Sequence, residues 1–223
     1  DDILAMKRLG FNTLRKHIKV EPEEFYYQCD RLGMIVWQDM VNNGSYSYFR
    51  DTVLPTVGIQ KRTDRRLHSD ERSRNTFRQG AADAVNQLKN HPCICYWTIF
   101  NEGWGQFDSD RVCGWFRTLD ATRFIDTTSG WFRGKTYGYG ACPTREALNE
   151  AVAALYRESI VPAVEKGLCA AIYTQVSDVE DEVNGLITYD RRVVKLDADT
   201  MLPISGALRD AMEKTVASFE KMG

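Results

Sequence analysis

His91-Pro92-Cys93-Ile94-Cys95-Tyr96-Trp97-Thr98-Ile99-Phe100-Asn101-Glu102-Gly103 carries the strongest strand signal in the chain. From Cys93 to Phe100 every residue is apolar, aromatic or β-branched, the pattern of a strand buried on both faces. His91-Pro92 stops the helix expected upstream from Ser73 to Lys89, because proline cannot continue it. The strand then delivers Asn101-Glu102 at its C-terminal end.

Working outward, Met34-Ile35-Val36-Trp37 is a second continuous apolar run, and Asn12-Thr13-Leu14-Arg15 reads as a short strand. Between them Glu21-Pro22-Glu23-Glu24 opens a helix, with proline in the first turn and acids at the positive helix end, and Gly33 closes it. A helix from Asp2 to Leu9 ends on Gly10. Downstream, Asp110 to Leu119 reads as a helix and Phe124 to Ser129 as a strand. The apolar stripe Ala147, Leu148, Ala151, Val152, Leu155 and Tyr156 marks a helix from Thr144 to Lys166 capped by Gly167. Leu168 to Val176 is read as a fifth strand and 203–222 as a terminal helix. Asn42 to about Asp70 is polar and irregular, and Arg62, Arg65, Arg66 and Arg72 in and after it read as a solvated surface. Strands alternating with helices, several apolar throughout, give a parallel sheet covered on both faces, either a barrel or an open doubly wound sheet. No Gly-rich loop follows a strand, so nothing supports the dinucleotide-binding version.

The 223 residues suffice for about one domain of this class. A net charge of -2 has no basic excess to attract a phosphate backbone, and no apolar run reaches the roughly 20 residues a membrane helix needs. Neither nucleic acid nor a membrane is expected as a partner. Asp1 opens directly into a helical pattern, so the true N-terminus is expected upstream. The six cysteines are scattered, and the Cys93/Cys95 pair, on one face of a strand, reads as buried thiols. That fits a reducing, cytoplasmic compartment. No metal-ligand spacing is present, and no metal or cofactor is expected. Whether copies of the chain form a homo-oligomer is left open.

In an α/β barrel the reactive side chains sit at the C-terminal ends of strands. Glu102 occupies such an end, flanked by Asn101, Trp104 and Gly105. A carboxyl in a partly apolar setting has a raised pKa and can donate a proton near neutrality, and aromatic neighbours stack on sugar rings. Alone, an Asn-Glu pair at a strand end is more often plain surface.

The wider pattern adds to this. Gly10-Phe11-Asn12-Thr13-Leu14-Arg15-Lys16-His17, then Phe25 through Cys29-Asp30-Arg31-Leu32-Gly33 to Gln38-Asp39, closely resembles glycoside hydrolase family 2. His91-Pro92 to Asn101-Glu102 is similar to that family's acid/base signature, and Asp120-Ala121-Thr122-Arg123 to the element before its fifth strand. Tyr173 to Glu180, with Asn184-Gly185-Leu186 and Tyr189-Asp190, resembles its last barrel strand and loop. The resemblance implies a (β/α)8 TIM barrel and a retaining β-glycosidase acting on a carbohydrate. Glu102 is then the general acid/base, Asn101 binds the sugar 2-hydroxyl, and Arg15, His17 and Asp39 line the terminal-sugar pocket. Trp131 is a stacking platform or packing, and Asp178 falls in the last matched motif. Read without the family, Arg15 pairs with a buried carboxylate, His17 is a satisfied core histidine, Asp39 caps a turn, and Trp37 is core. The remaining rival is a barrel that binds carbohydrate and has lost its chemistry.

The family's glucuronide-cleaving members carry Asn-x-Lys before a Gly-x-x-Thr-x-Asp-Arg stretch. Here Glu182-Val183-Asn184-Gly185-Leu186-Ile187-Thr188-Tyr189-Asp190-Arg191 has no such lysine, which favours a neutral sugar, galactose first. The family's nucleophile, a glutamate ending the seventh strand, has no counterpart. Five strand candidates stand where the class requires eight, with the first strand and flanking β-sandwich domains expected upstream. Between Phe132-Arg133 and Thr144 there is no room for a sixth strand, a helix and a seventh strand. Residues 1–223 are therefore read as a partial barrel, with a segment missing between Arg133 and Lys135. If the polypeptide carries that segment, its intact mass exceeds 25.5 kDa; a mass equal to 25.5 kDa identifies a truncated barrel of little or no activity.

Overall fold

A computed structural model describes residues 1–41, 64, 70–101, 105–129, 142–180 and 182–220. Glu102, Trp131, the junction around Arg133–Lys135 and all of the Asn42–Asp70 stretch except Asp64 and Asp70 lie outside the described residues. The chain divides into two compact units, one of Thr13–Tyr137 and one of Asp1–Asn12 with Gly138–Gly223.

The first unit contains β1 (Thr13–Lys16), α1 (Glu23–Leu32), β2 (Ile35–Asp39), α2 (Glu71–Leu88), β3 (Ile94–Asn101), α3 (Ser109–Leu119) and β4 (Phe124–Ser129). Its strands form one parallel sheet in the order β1-β2-β3-β4. Successive strands lying side by side, with no reversal of order, is the arrangement of a barrel wall; a doubly wound sheet reverses at a switch point. Each helix starts where its sequence allows. Pro22 precedes α1, whose end is Gly33 at φ 65, a left-handed conformation that glycine adopts without strain. The Asp70 carboxylate caps α2 by accepting from the N–H groups of Arg72 and Ser73.

The helix-facing side of the sheet is the core. Trp97 meets Phe116 of α3 edge-on, Phe100 stacks on Phe77 of α2, and Val36, Ile94, Leu88 and Val85 are fully buried with them. On the other side Trp37, Tyr96 and Phe124 form an aromatic row across β2, β3 and β4, with ring centroids 4.2 and 5.9 Å apart. Trp37 is thus half-buried on this row and not in the helix-side core. Cys95, expected to be buried with Cys93, is exposed. Cys93 precedes the strand, its N–H donating to Asp30, and the β2/β3 register shifts at Val36/Trp37, so the simple alternation does not carry from one thiol to the other.

Two polar clusters tie the N-terminal ends of the strands together. Asp30 accepts from the backbone N–H of Cys93 at 2.7 Å and contacts His91 Nδ1 at 2.6 Å. Asp120 accepts from the Thr122 N–H and hydroxyl, the Trp97 indole N–H at 2.9 Å and Arg123 Nη1 at 2.7 Å. Arg123 in turn donates to the carbonyls of Lys89, His91 and Ile94. The Asp-x-Thr-Arg stretch therefore binds the start of β4 to the start of β3.

The second unit holds α4 (Asp2–Arg8), α5 (Arg145–Leu155), which runs through a π-helical turn (Tyr156–Ile160) into α6 (Val161–Val164), and α7 (Ala198–Glu220). Met6, Leu9, Val152, Tyr156, Val164, Met201 and Ile204 are buried in it. The expected strand Leu168–Val176 is not formed. Backbone pairing there is limited to short contacts, with Leu186 and Ile187 donating to Gln175 and Val176 and an isolated bridge between Ser177 and Ile187. A parallel strand needs neighbours to take its ladder hydrogen bonds, and among the described residues of this unit none pairs alongside Leu168–Ile172, where Ile172 is 38% exposed. The terminal helix begins at Ala198, before the expected Pro203, because Asp197 accepts from Thr200 and Met201 and starts its first turn. No described helix is long and apolar enough to cross a membrane.

Burial pushes the Asp120 carboxyl up, but the Thr122, Trp97 and Arg123 hydrogen bonds outweigh it and hold the group well below its ordinary value of 3.8. The unfolded chain therefore binds more protons than the folded one in acid. The stabilisation is complete above that ordinary value and is lost as pH falls through the folded one. Asp120→Asn should destabilise the protein by about 3 kcal/mol at neutral pH, since it leaves a mostly buried guanidinium without its counter-ion. Urea titrations from neutral to acidic pH should show that difference shrinking in acid; a gap constant with pH would contradict the assignment.

Candidate active site

At the opposite, C-terminal ends of the strands a second charged cluster is assembled. Asp39, the last residue of β2, is completely buried. Arg15 of β1 meets it with a two-pronged pair, Nε to Oδ1 and Nη2 to Oδ2, both at 2.9 Å. The same Nη2 donates to Asn101 Oδ1 on β3 at 2.9 Å, so one guanidinium spans three strands. Burial raises the Asp39 carboxyl, and the His17 and Arg15 hydrogen bonds override that and keep it below the ordinary carboxylate range.

The bonding of Arg15 to Oδ1 turns the Asn101 amide nitrogen away from the guanidinium. Arg15 also lies over the Trp37 ring, 5.8 Å from its centroid, and Trp37 donates to Thr98 Oγ1 at 2.6 Å. His17 sits just past β1 with its Nδ1 3.5 Å from Asp39 Oδ2 and 57% of its side chain exposed. The next residue, Ile18, has φ 44, a left-handed conformation that a β-branched side chain rarely adopts, and its N–H points at Asp39 Oδ2 at 3.4 Å. Such strain is of order 1–3 kcal/mol and is characteristic of backbones held at functional sites.

Four of the residues singled out from sequence, Arg15, His17, Asp39 and Asn101, are thus brought together. Glu102 and Trp131 lie outside the described residues. Asp178 belongs to the second unit, where its Oδ1 accepts from the Gly185 N–H at 2.9 Å and from Lys195 Nζ at 2.6 Å. Its loop is packed so closely that a Cβ on Gly185 would lie 2.1 Å from the Asp178 nitrogen. The described contacts of Asp178 are therefore those of a loop fastener. Sequence reading missed the part played by Trp37 and Thr98; their same-face positions opposite Arg15 and Asp39 in adjacent strands are the signal that would have found them. Among the described residues no group of three or more His, Cys, Asp or Glu side chains is placed to hold a metal.

The family described as "Glycosyl hydrolases family 2, TIM barrel domain" matches residues 1–184. Over 130 residues, 58% of the chain, the sequence is 32% identical to a β-galactosidase of Yersinia enterocolitica serotype O:8 / biotype 1B. A β-galactosidase of Yersinia pestis bv. Antiqua (strain Angola) matches at the same identity and extent. In each case the matched stretch is only 11% of the relative's length. Among solved structures, Bacteroides uniformis β-glucuronidase 2, covalently bound to cyclophellitol-6-carboxylate aziridine, is similar over 93% of this chain and 32% of its own. Its TM-score is 0.51 and its identity 14%. An uncultured Clostridium sp. β-glucuronidase gives a TM-score of 0.50 at 16% identity over 94% of this chain and 46% of its own. Likeness at that identity concerns the fold alone.

Replacing Arg15 by Ala leaves the Asp39 charge buried without its partner, and a loss of about 3 kcal/mol in folding stability is expected. Adding Asp39→Asn should recover part of it. A double-mutant cycle by chemical denaturation that gives purely additive losses would dissolve the pair as a unit.

Proposed function

The chain belongs to glycosyl hydrolase family 2, TIM barrel domain, and from that premise we propose that it is part of a retaining β-glycosidase that removes terminal β-linked sugars. In this reading Glu102 protonates the leaving glycosidic oxygen and later activates water, and a second carboxylate, roughly 5–5.5 Å away, attacks the anomeric carbon. Asn101 binds the hydroxyl on C2. Arg15, His17 and Asp39 form the wall that receives the terminal sugar, and Trp131 is proposed as a stacking surface for its ring. Galactose is the proposed sugar, in keeping with the β-galactosidase relatives and with the missing lysine at Asn184-Gly185-Leu186.

The observation that carries the reading is the Arg15 bridge to both Asp39 and Asn101. It holds the residue immediately before Glu102 in one orientation, on the rim where three strand ends meet. A general acid acts only if its carboxyl is held within hydrogen-bond reach of the leaving oxygen, so a fixed neighbour directly contributes to positioning. The partial barrel is part of the same proposal: the attacking carboxylate comes from barrel strands that this chain does not include. The compartment proposed is the cytoplasm.

The test uses the intact enzyme and a panel of nitrophenyl glycosides. Turnover of the β-galactoside is expected, and Glu102→Gln should lower it by about 10²–10⁴-fold. A barrel that only binds sugar would show no turnover before the substitution either, and a Glu102→Gln variant of full activity would remove Glu102 from the mechanism.

A further inference from the structure

Between α2 and α3, on the outside of the sheet, lies a cleft of about 400 Å³ lined by Glu71, Arg74 and Arg78 of α2, by Asp108 just before α3, and by Arg111, Val112 and Trp115 of α3. That size is in the lower part of the range for small-molecule sites, roughly 300–1,000 Å³. The lining follows helical spacing: Arg74 and Arg78 are one turn apart on α2, and Arg111 and Trp115 one turn apart on α3, so each helix presents a row across the cleft. Both helices begin on the side of the sheet where β2 and β3 end, as the alternation of parallel strands and antiparallel helices requires. The cleft therefore shares its side of the fold with Asn101.

Its charges are not equivalent. Arg74 and Arg78 are laid against the Phe107 ring, 4.8 and 5.3 Å from its centroid, and are turned toward Glu71 at 3.3 and 4.0 Å. These contacts fix two guanidinium planes and offset one acid. Arg111 has no hydrogen bond or ion pair among the described residues, although Asp108 lines the same cleft. A backbone feature supports a built wall: Asp108 has φ 41, and its N–H and that of Ser109 donate to the Asp64 carbonyl and carboxylate, with Gln106 Nε2 donating to the same carboxylate at 2.7 Å. The start of α3 is thereby pinned.

We infer that this cleft is a second saccharide site, taking a sugar ring that bears a carboxylate or sulfate group, with Arg111 pairing with the anion and the Trp115 ring supporting the sugar face. An unpaired guanidinium one turn from a half-buried indole matches such a ligand in both its parts, a planar oxyanion and an apolar ring face. The two preset arginines of α2 add field without needing to be reorganised on binding. The inference takes only family membership from what precedes it; it does not depend on the hydrolytic reading, and binding is measured separately from turnover.

NMR titration of the full chain with galacturonic acid, galactose 6-sulfate and methyl β-galactoside tests it. Both acidic sugars, or one of them, should bind at least about tenfold more tightly than the neutral glycoside, and the one that binds identifies the anion. Raised salt should weaken that binding. Arg111→Ala and Trp115→Ala should each weaken it by about fivefold or more, Arg111→Lys should be intermediate because it keeps charge without the fork, and Glu102→Gln should leave it unchanged. Equal affinity for the neutral sugar, no binding of either acid, an unaltered Arg111 variant, or loss of binding with Glu102→Gln would each overturn the inference.

Discussion

A fully buried carboxylate at the end of β2 is the constraint around which the first unit is organised. Asp39 has no access to water, and an ionised carboxylate in that position is tolerable only with a cation and hydrogen-bond donors around it. Arg15 supplies both through its paired contacts, and because the guanidinium also reaches Asn101, the requirement of one charge aligns β1, β2 and β3 together. The register follows. Slipping β1 by one residue would turn Arg15 to the helix side and bring Leu14 or Lys16 to Asp39. An apolar pair such as Leu14 and Val36 is less demanding, since its members can exchange neighbours at modest loss.

The buried charges are divided between the two ends of the sheet. At the N-terminal ends Asp30 joins the close of α1 to the approach of β3, and Asp120 with Arg123 joins β3 to β4. All the donors at these two carboxylates are backbone groups or side chains of the scaffold. At the C-terminal ends the Arg15 cluster borders an exposed histidine and a strained Ile18. In a barrel the first end serves stability and the second carries chemistry. Several of the stretches whose sequence resembles the family, Cys29-Asp30, His91-Pro92 and Asp120-Ala121-Thr122-Arg123, therefore have architectural roles.

Much of this was legible in the residues because the signals were strong and local. β2 and β3 announce themselves through continuous apolar runs, β1 and β4 through their place between helices that Gly10, Gly33 and His91-Pro92 punctuate, and the expected bounds of all four fall within a few residues of the observed ones. The Arg15, His17, Asp39 and Asn101 grouping came from the order of family motifs; nothing local joins β1 to β3 across 86 positions. What failed was non-local. Leu168–Val176 has strand composition, yet composition cannot supply the neighbouring strands that a ladder needs. Cys95 is exposed although strict alternation from Cys93 would bury it, because the chain enters the sheet at a register shift. The bond between Asp30 and His91 was invisible for the same reason, being made across 61 positions.

The aromatic row on the inner side of the sheet connects the fold to the chemistry. Trp37 and Tyr96 are half-buried where they stack on one another, but Phe124 at the end of the row is 72% exposed, although an aromatic side chain of that size gains its stability from burial. In a closed barrel such a row faces the side chains of the remaining strands, which fill the interior in layers. β1 to β4 thus form one wall that carries the aromatic row and, at its C-terminal rim, holds Asn101 in place through Arg15.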